Sequence, residues 1–137
     1  MEKQVLKVPE GTVSVKNREY SGRNDFTEVV LPDSIQELGV RAFADCKALE
    51  KVSLPPGLRQ IKRELFSGCS ALREIEIPAG VESIGEWAFR GCSSLETILI
   101  PDSVNYIAEE AFLSCPGLRI LAASGSYAQQ FASTHCK

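Results

Sequence analysis

The stretch LREIEIPAGVESIGEWAFRGCSS, residues 72–94, decides the fold. It opens by alternating: Ile75 and Ile77 are apolar, while Glu74 and Glu76 are charged. A period of two marks a half-buried strand, one face in and one face out. Pro78 ends that strand, because proline has no N–H to give to a ladder. Val81-Glu82-Ser83-Ile84 reads as a second short extended segment. Glu86 to Cys92 reads as a short helical turn, with Ala88 and Phe89 pointing inward and Gly91 permitting a tight exit.

The same pattern recurs along the chain. Pro9, Pro32, Pro55, Pro78 and Pro101 stand 23 residues apart. Phe43, Phe66, Phe89 and Phe112 keep that interval, as do Cys46, Cys69, Cys92 and Cys115. So do Leu49, Leu72, Leu95 and Leu118, and so do the apolar positions that begin at Ile35 and at Leu38. One unit alone could not bury its apolar face. Stacked, the units 32–54, 55–77, 78–100 and 101–123 share one continuous core, like on like. A period of 23 lies within the range of leucine-rich repeats. The expected fold is therefore an α/β repeat, a right-handed leucine-rich-repeat solenoid of 23-residue units with a short C-terminal capping helix. At one strand spacing per coil it spans only about 24 Å, so its ends need caps.

Both ends read as caps of a single domain over 1–137. Residues 9–31 form a degenerate first repeat: Tyr20 fills the Phe slot, Phe26 the Leu slot, and Val29 and Leu31 the strand slots. Arg23 replaces Cys and Thr12 replaces Ile or Val, polar intrusions that suit a wet end coil. Residues 124–137 form the other cap. Serine favours an N-cap, and Tyr127, Ala128, Phe131 and Ala132 share one helical face.

Length, composition and charge fit one soluble domain with a real core. A net charge of -3, from 15 basic and 18 acidic residues, argues against phosphate backbones as partners, so no nucleic acid is expected. No apolar run approaches the roughly 18 residues of a membrane span, so no membrane insertion is expected. The N-terminus lacks the apolar middle of a signal peptide. That leaves two compartments open: the cytoplasm, or the surface if the chain is a piece of a longer exported protein.

The units resemble the BspA-like family, the bacterial surface-antigen type of leucine-rich repeat. The family pattern of Leu, Ile, Ile-Pro, Val, Ile-Gly, Ala-Phe and Cys is met in Leu72 to Ser94 at Ile75, Ile77, Pro78, Val81, Ile84, Gly85, Ala88, Phe89 and Cys92. The tail from Gly125 to Ala132 also looks like the family's endings. Lys62 and Ala108 depart from the Gly that follows Ile, and Leu65 from Ala, which affects local turn geometry. The resemblance implies a curved or twisted solenoid used for adhesion or protein binding, with many relatives exported. It implies no shared catalytic residues.

The cysteines invite sharper chemistry. A zinc site needs four ligands converging on one point, whereas cysteines one coil apart form a line along the axis. Their Cβ vectors run parallel, which disfavours disulfides. Buried structural thiols are the expected reading. Cys136 stands apart as a terminal thiol that could form dimers. His135 beside it could suggest a nucleophile pair, but neighbouring residues in a terminal tail point different ways. No phosphate loop, metal set or polar constellation converges, so no cofactor and no enzyme activity are expected.

A solenoid binds through the variable positions between its fixed ones. On the main strands one outward column is Glu28, Lys51, Glu74, Thr97 and Ile120; the other is Val30, Ser53, Glu76, Leu99 and Ala122. This face is charged at its middle and apolar toward the C-terminal end. Leu99 and Ile120 are either covered by the C-terminal helix or part of an apolar contact patch. On another side Trp87 and Tyr106 fall at variable positions and should be at least partly exposed, as suits a partner or self-association surface. The candidate contact residues are thus Val30, Lys51, Glu74, Glu76, Trp87, Thr97, Leu99, Tyr106 and Ile120. Two functions compete: a binding module for an unidentified protein, and a structural spacer cut from a larger surface protein.

Overall fold

The alternating stretches form strands in two parallel walls, described for residues 4–135 by a computed structural model. The first wall holds β1 (Val5–Lys7), β3 (Glu28–Val30), β5 (Lys51–Ser53), β7 (Glu74–Glu76), β9 (Thr97–Leu99) and β11 (Arg119–Leu121). The second holds β2 (Ser14–Val15), β4 (Glu37–Leu38), β6 (Gln60–Ile61), β8 (Ser83–Ile84) and β10 (Tyr106–Ile107). The chain ends in α1 (Tyr127–His135). The ladders are parallel, and equivalent residues of successive coils face each other: Glu28 opposite Lys51, Glu74 opposite Thr97, Ser83 opposite Tyr106.

The interior is the shared apolar stack that the columns predict. Phe43, Phe66 and Phe89 are fully buried. Tyr20, Phe43, Phe66, Phe89 and Phe112 stack with centroids 5.4, 5.9, 5.6 and 5.5 Å apart and rings nearly parallel. Phe131 of α1 closes the row edge-on at 6.2 Å. These spacings lie in the range where aromatic pairs attract beyond their simple burial.

The stretch expected as a helical turn is not one. Left-handed residues interrupt every copy, two in most: Trp87 at φ 59° and Gly91 at φ 74° in one coil, Glu64 at 57° and Gly68 at 79° in the coil before, and Ser114 alone, at 64°, in the last. A helix needs consecutive right-handed residues, so the segment folds as a run of tight turns. Alternate N–H groups then serve two partners. Leu65, Ser67 and Cys69 donate to carbonyls three residues back, while Glu64, Phe66 and Gly68 donate to Glu86, Ala88 and Arg90 of the next coil. This side of the solenoid carries its own ladder of inter-coil bonds.

Two features depart from the repeat reading. β1 precedes Pro9, where the repeats were expected to begin, and pairs Leu6 with Val29. Leu6 is in phase with Val29, but three residues are too few to show a period. At the other end, β11 pairs Arg119 with Thr97, Ile120 with Ile98 and Leu121 with Leu99. The last strand is therefore one residue ahead of the 23-residue phase. Ile120 faces the core and is half-buried, and Ala122 packs against the core too; neither lies in an outward column. The shift obeys the strand period: it leaves Arg119 outward and one apolar residue of the pair inward.

Each wall also splits at one place. The first wall is ordered β1-β3-β5 and, separately, β7-β9-β11; the second is β2-β4 and β6-β8-β10. Both splits fall between the coil 32–54 and the coil 55–77. That second coil carries the rigid Pro55-Pro56 pair and Lys62 in the glycine slot. In that slot a Cβ on Gly39 or Gly85 would meet the preceding coil's backbone at 2.5 and 2.8 Å. Ala108 carries a Cβ there and still bonds Ile84, so a Cβ alone does not break the ladder; the seam coincides with the longer Lys62 side chain and with Pro56, which follows the repeat's usual proline. Across it the turn-side bonds persist, from Arg41 to Arg63, Phe43 to Leu65 and Asp45 to Ser67. Side chains add the ion pairs Lys62–Glu37 and Arg41–Glu64.

The C-terminal cap follows its sequence. Ser126 Oγ accepts from the Gln129 N–H at 3.1 Å, and Gln129 Oε1 accepts from the Gly125 N–H at 2.8 Å. These bonds satisfy donors at the start of the helix that its own ladder leaves free. Ala128 and Phe131 are buried against the last coil, and the Tyr127 hydroxyl accepts from the Ile107 N–H at 3.2 Å.

Candidate functional site

The first wall is an open sheet face. Its outward residues come from alternate positions of six three-residue strands, which fixes their spacing by ladder register alone. Lys51, Glu74 and Glu76 are exposed, Thr97 is half-buried, and Leu99 is 45 % exposed. These five line one groove of about 600 Å³, together with Glu28, Leu121 and the edges of Val52 and Ile75. Val30, 40 % exposed, lies on the same face opposite Ser53 but outside the groove. The structure thus brings together five of the nine candidates.

Ile120 is not among them. It was expected outward, and the register places it inward opposite Ile98. Leu121 takes the outward place beside Leu99 and is 40 % exposed. The signal for Leu121 was present in Arg119-Ile120-Leu121, where a charged residue out makes the second apolar residue out as well. The helix does not cover this end of the face. α1 packs against β10 and β11, and Leu99 stays open to solvent.

Trp87 and Tyr106 stand elsewhere. Tyr106 on β10 is 54 % exposed. Trp87 is half-buried and already engaged: its Nε1–H donates to Glu110 Oε1 at 3.2 Å, and Arg63 and Arg90 lie 5.3 and 4.8 Å from its ring centre. It belongs to a side-chain ladder in which Arg41 pairs with Glu64 one coil on. Glu64 is 7 % exposed, and Arg63 also reaches it at 3.4 Å. These contacts hold left-handed, non-glycine residues, whose conformation costs about 1–2 kcal/mol each. Sequence reasoning missed this ladder because residue type does not report φ.

The cysteine column is structural in geometry. Each Sγ–H donates to a carbonyl of the preceding coil: Cys46 to Tyr20 at 3.2 Å, Cys69 to Phe43 at 3.1 Å, Cys92 to Phe66 at 3.2 Å and Cys115 to Phe89 at 3.0 Å. Cys46, Cys69 and Cys92 are buried free thiols, and Cys115 is the least buried of the four. Burial pushes the Cys46 thiol up to about 11 and raises those of Cys69 and Cys92 further. Such thiols are poor nucleophiles, since the thiolate is the reactive form. The first coil, where Arg23 replaces cysteine, uses a different device. The Arg23 guanidinium lies 5.6 Å from the Tyr20 ring centre and 5.4 Å from that of Phe26. It also pairs with Asp25, whose carboxyl it holds below the usual range. The side chain of His135 and the whole of Cys136 lie outside the described residues.

Among the described residues no helix is long and apolar enough to cross a membrane. No curated protein matches the chain. Solved structures do. A leucine-rich cell surface protein of Faecalibacterium prausnitzii is 34 % identical with a TM-score of 0.88, over 94 % of this chain and 34 % of its own. A leucine-rich-repeat protein of Bacteroides ovatus is 34 % identical with a TM-score of 0.81, over 87 % of this chain and 33 % of its own. A T. pallidum leucine-rich-repeat protein is 31 % identical with a TM-score of 0.82, over 86 % of this chain and 58 % of its own. The chain thus spans about a third of the length of the first two. The model of the BspA type leucine-rich-repeat region matches in 6 copies over residues 5–129, reaching back to the start of β1. Repeat phase, stacked core and solved likenesses agree, and the chain belongs to the BspA type of leucine-rich-repeat proteins.

Proposed function

We propose that the chain is a non-catalytic protein-binding or adhesion scaffold whose contact face is the first wall. The observation that supports this most is the groove of about 600 Å³, into which Lys51, Glu74, Glu76, Thr97 and Leu99 converge from three neighbouring strands. Rigid strands hold these side chains in fixed register, as recognition requires. The rim is rich in carboxylates, which suits a protein partner and repels phosphate backbones. Val30 extends the face on the N-terminal side. We assign Tyr106, with the half-buried Trp87, to a second contact that serves self-association.

A second reading has its own support. The chain spans about a third of a solved cell surface protein, as a spacer segment of a longer repeat array would. A selection of random-sequence displayed peptides on the immobilised chain separates the two. A binding module gives binders that are lost on Leu99→Asp and kept on Tyr106→Ala. Binders indifferent to every first-wall substitution would refute the contact face.

A further inference from the structure

The split of the first wall lies in the floor of the groove. Val29 and Ile98, inward residues of β3 and β9, are 1 % and 0 % exposed; Val52 and Ile75, their equivalents on either side of the split, are each 5 % exposed and line the groove. The parted strands therefore leave Val52 and Ile75 in the core, with only a narrow apolar edge of each reaching the groove floor as a strip.

Around that strip the charge is one-sided. Glu28, Glu50, Glu74, Glu76 and Glu96 line the groove against only Lys51 and Arg73. Glu50 has a partner of its own, so four carboxylates stand against two cations in the groove lining. Glu28, Glu74 and Glu76 have no salt-bridge partner among the described residues. At the C-terminal end Leu99 and Leu121 form an exposed apolar shelf.

An apolar strip edged by unpaired carboxylates matches a long basic side chain. The methylene stem of arginine or lysine packs on apolar surface while its head stays among polar groups. A guanidinium can meet carboxylates with two parallel, charge-assisted hydrogen bonds. An acidic segment would instead add like charge to the groove.

We propose that this groove takes an extended, basic segment of a partner protein. Its stem lies on Val52 and Ile75, its cationic head meets Glu74, Glu76 or Glu28, and an apolar neighbour rests on Leu99 and Leu121. This rests on the first wall being the contact face.

The probe is a fluorescent nonapeptide alternating arginine with leucine, followed by anisotropy with the full chain. A second peptide carries citrulline, the neutral isostere, in place of arginine. The citrulline peptide should bind about tenfold more weakly or worse, as expected for lost charge-assisted bonds. Glu74→Gln with Glu76→Gln should weaken the arginine peptide similarly. Glu86→Gln, on the turn side, should leave it unchanged. Binding should also fall as NaCl rises from about 50 to about 500 mM. Equal binding of the two peptides, or an unaffected double variant, overturns the proposal, and the peptide comparison does so without relying on any variant's fold. A dimer that sediments as such and is abolished by Leu99→Asp would give the groove to a second copy and also overturn it. Displayed binders that need Leu99 yet lack arginine and lysine sink this inference alone; binders that ignore the first wall sink the contact face as well.

Discussion

Ile120 stands opposite Ile98, and so Leu121 stands beside Leu99. One residue of shift separates a core position from a surface one, because side chains alternate along a strand. Ile120→Asp should therefore destabilise the chain by about 2–3 kcal/mol, the order expected for a polar group forced against apolar surface. Leu121→Asp should stay within about 0.5 kcal/mol of the parent. Urea unfolding measures both, and the reverse ranking would restore the unshifted register.

The aromatic row makes a second test. Phe66 is fully buried between Phe43 and Phe89. Phe66→Ala leaves a cavity that neighbouring coils cannot fill without breaking their own stacking, so a loss of about 3–5 kcal/mol is expected. Tyr20→Ala, at the half-buried end of the row, should cost clearly less. A calorimetric comparison in which both lose the same would mean the row is not one continuous core.

The row itself was legible because Phe43, Phe66, Phe89 and Phe112 recur in phase, and coils that stack like on like can place them in only one way. The same logic found the cysteine column, though not the carbonyls its thiols serve, since those depend on backbone direction. It failed where phase or φ changes. β11 slips by one residue with no gap in the apolar pattern, and the one cue to it, a charged Arg119 that must face out, was outweighed by the 23-residue phase. Glu64 and Trp87 adopt left-handed turns that no residue-type rule assigns to them, and a helical turn was expected in their place. Lys62 was visible as a departure from glycine, yet the seam that coincides with it depends on the approach of two backbones. The groove followed from the outward columns, while its floor followed from that seam.

The seam predicts uneven local opening. Gly39, Gly85 and Ala108 donate their N–H groups to the preceding coil at 2.8, 2.7 and 2.9 Å. The Lys62 N–H lies at the split between β4 and β6. Amides without inter-coil partners exchange through smaller openings. Native-state hydrogen exchange should find Lys62 and Leu54 faster than Gly85 and Ile77 by about tenfold or more. Lys62→Gly combined with Pro56→Asp restores the repeat's usual residues and should slow exchange there. Uniform protection across all coils would show the walls to be continuous.

The buried thiols make stability fall in alkaline solution. Burial raises the folded Cys46 thiol from 9.0 to about 11, and raises Cys69 and Cys92 in the same direction. A thiol raised in the folded state keeps its proton there after the unfolded chain has lost it. Below about pH 9 both states are neutral and the contribution is fully present. Between about pH 9 and 11 the unfolded chain binds fewer protons, so unfolding becomes easier as pH rises. Lysine and tyrosine titrate nearby, so the comparison must be between variants. In a Cys136→Ser background, the midpoint temperature should fall less steeply over that window in Cys46→Ala than in its parent. The same thiols should resist a thiol reagent at pH 8 until the chain is unfolded, with the half-buried Cys115 first to react. Parallel slopes for the two proteins, or prompt labelling of Cys69 in the native state, would show that the thiols are not held neutral by the core.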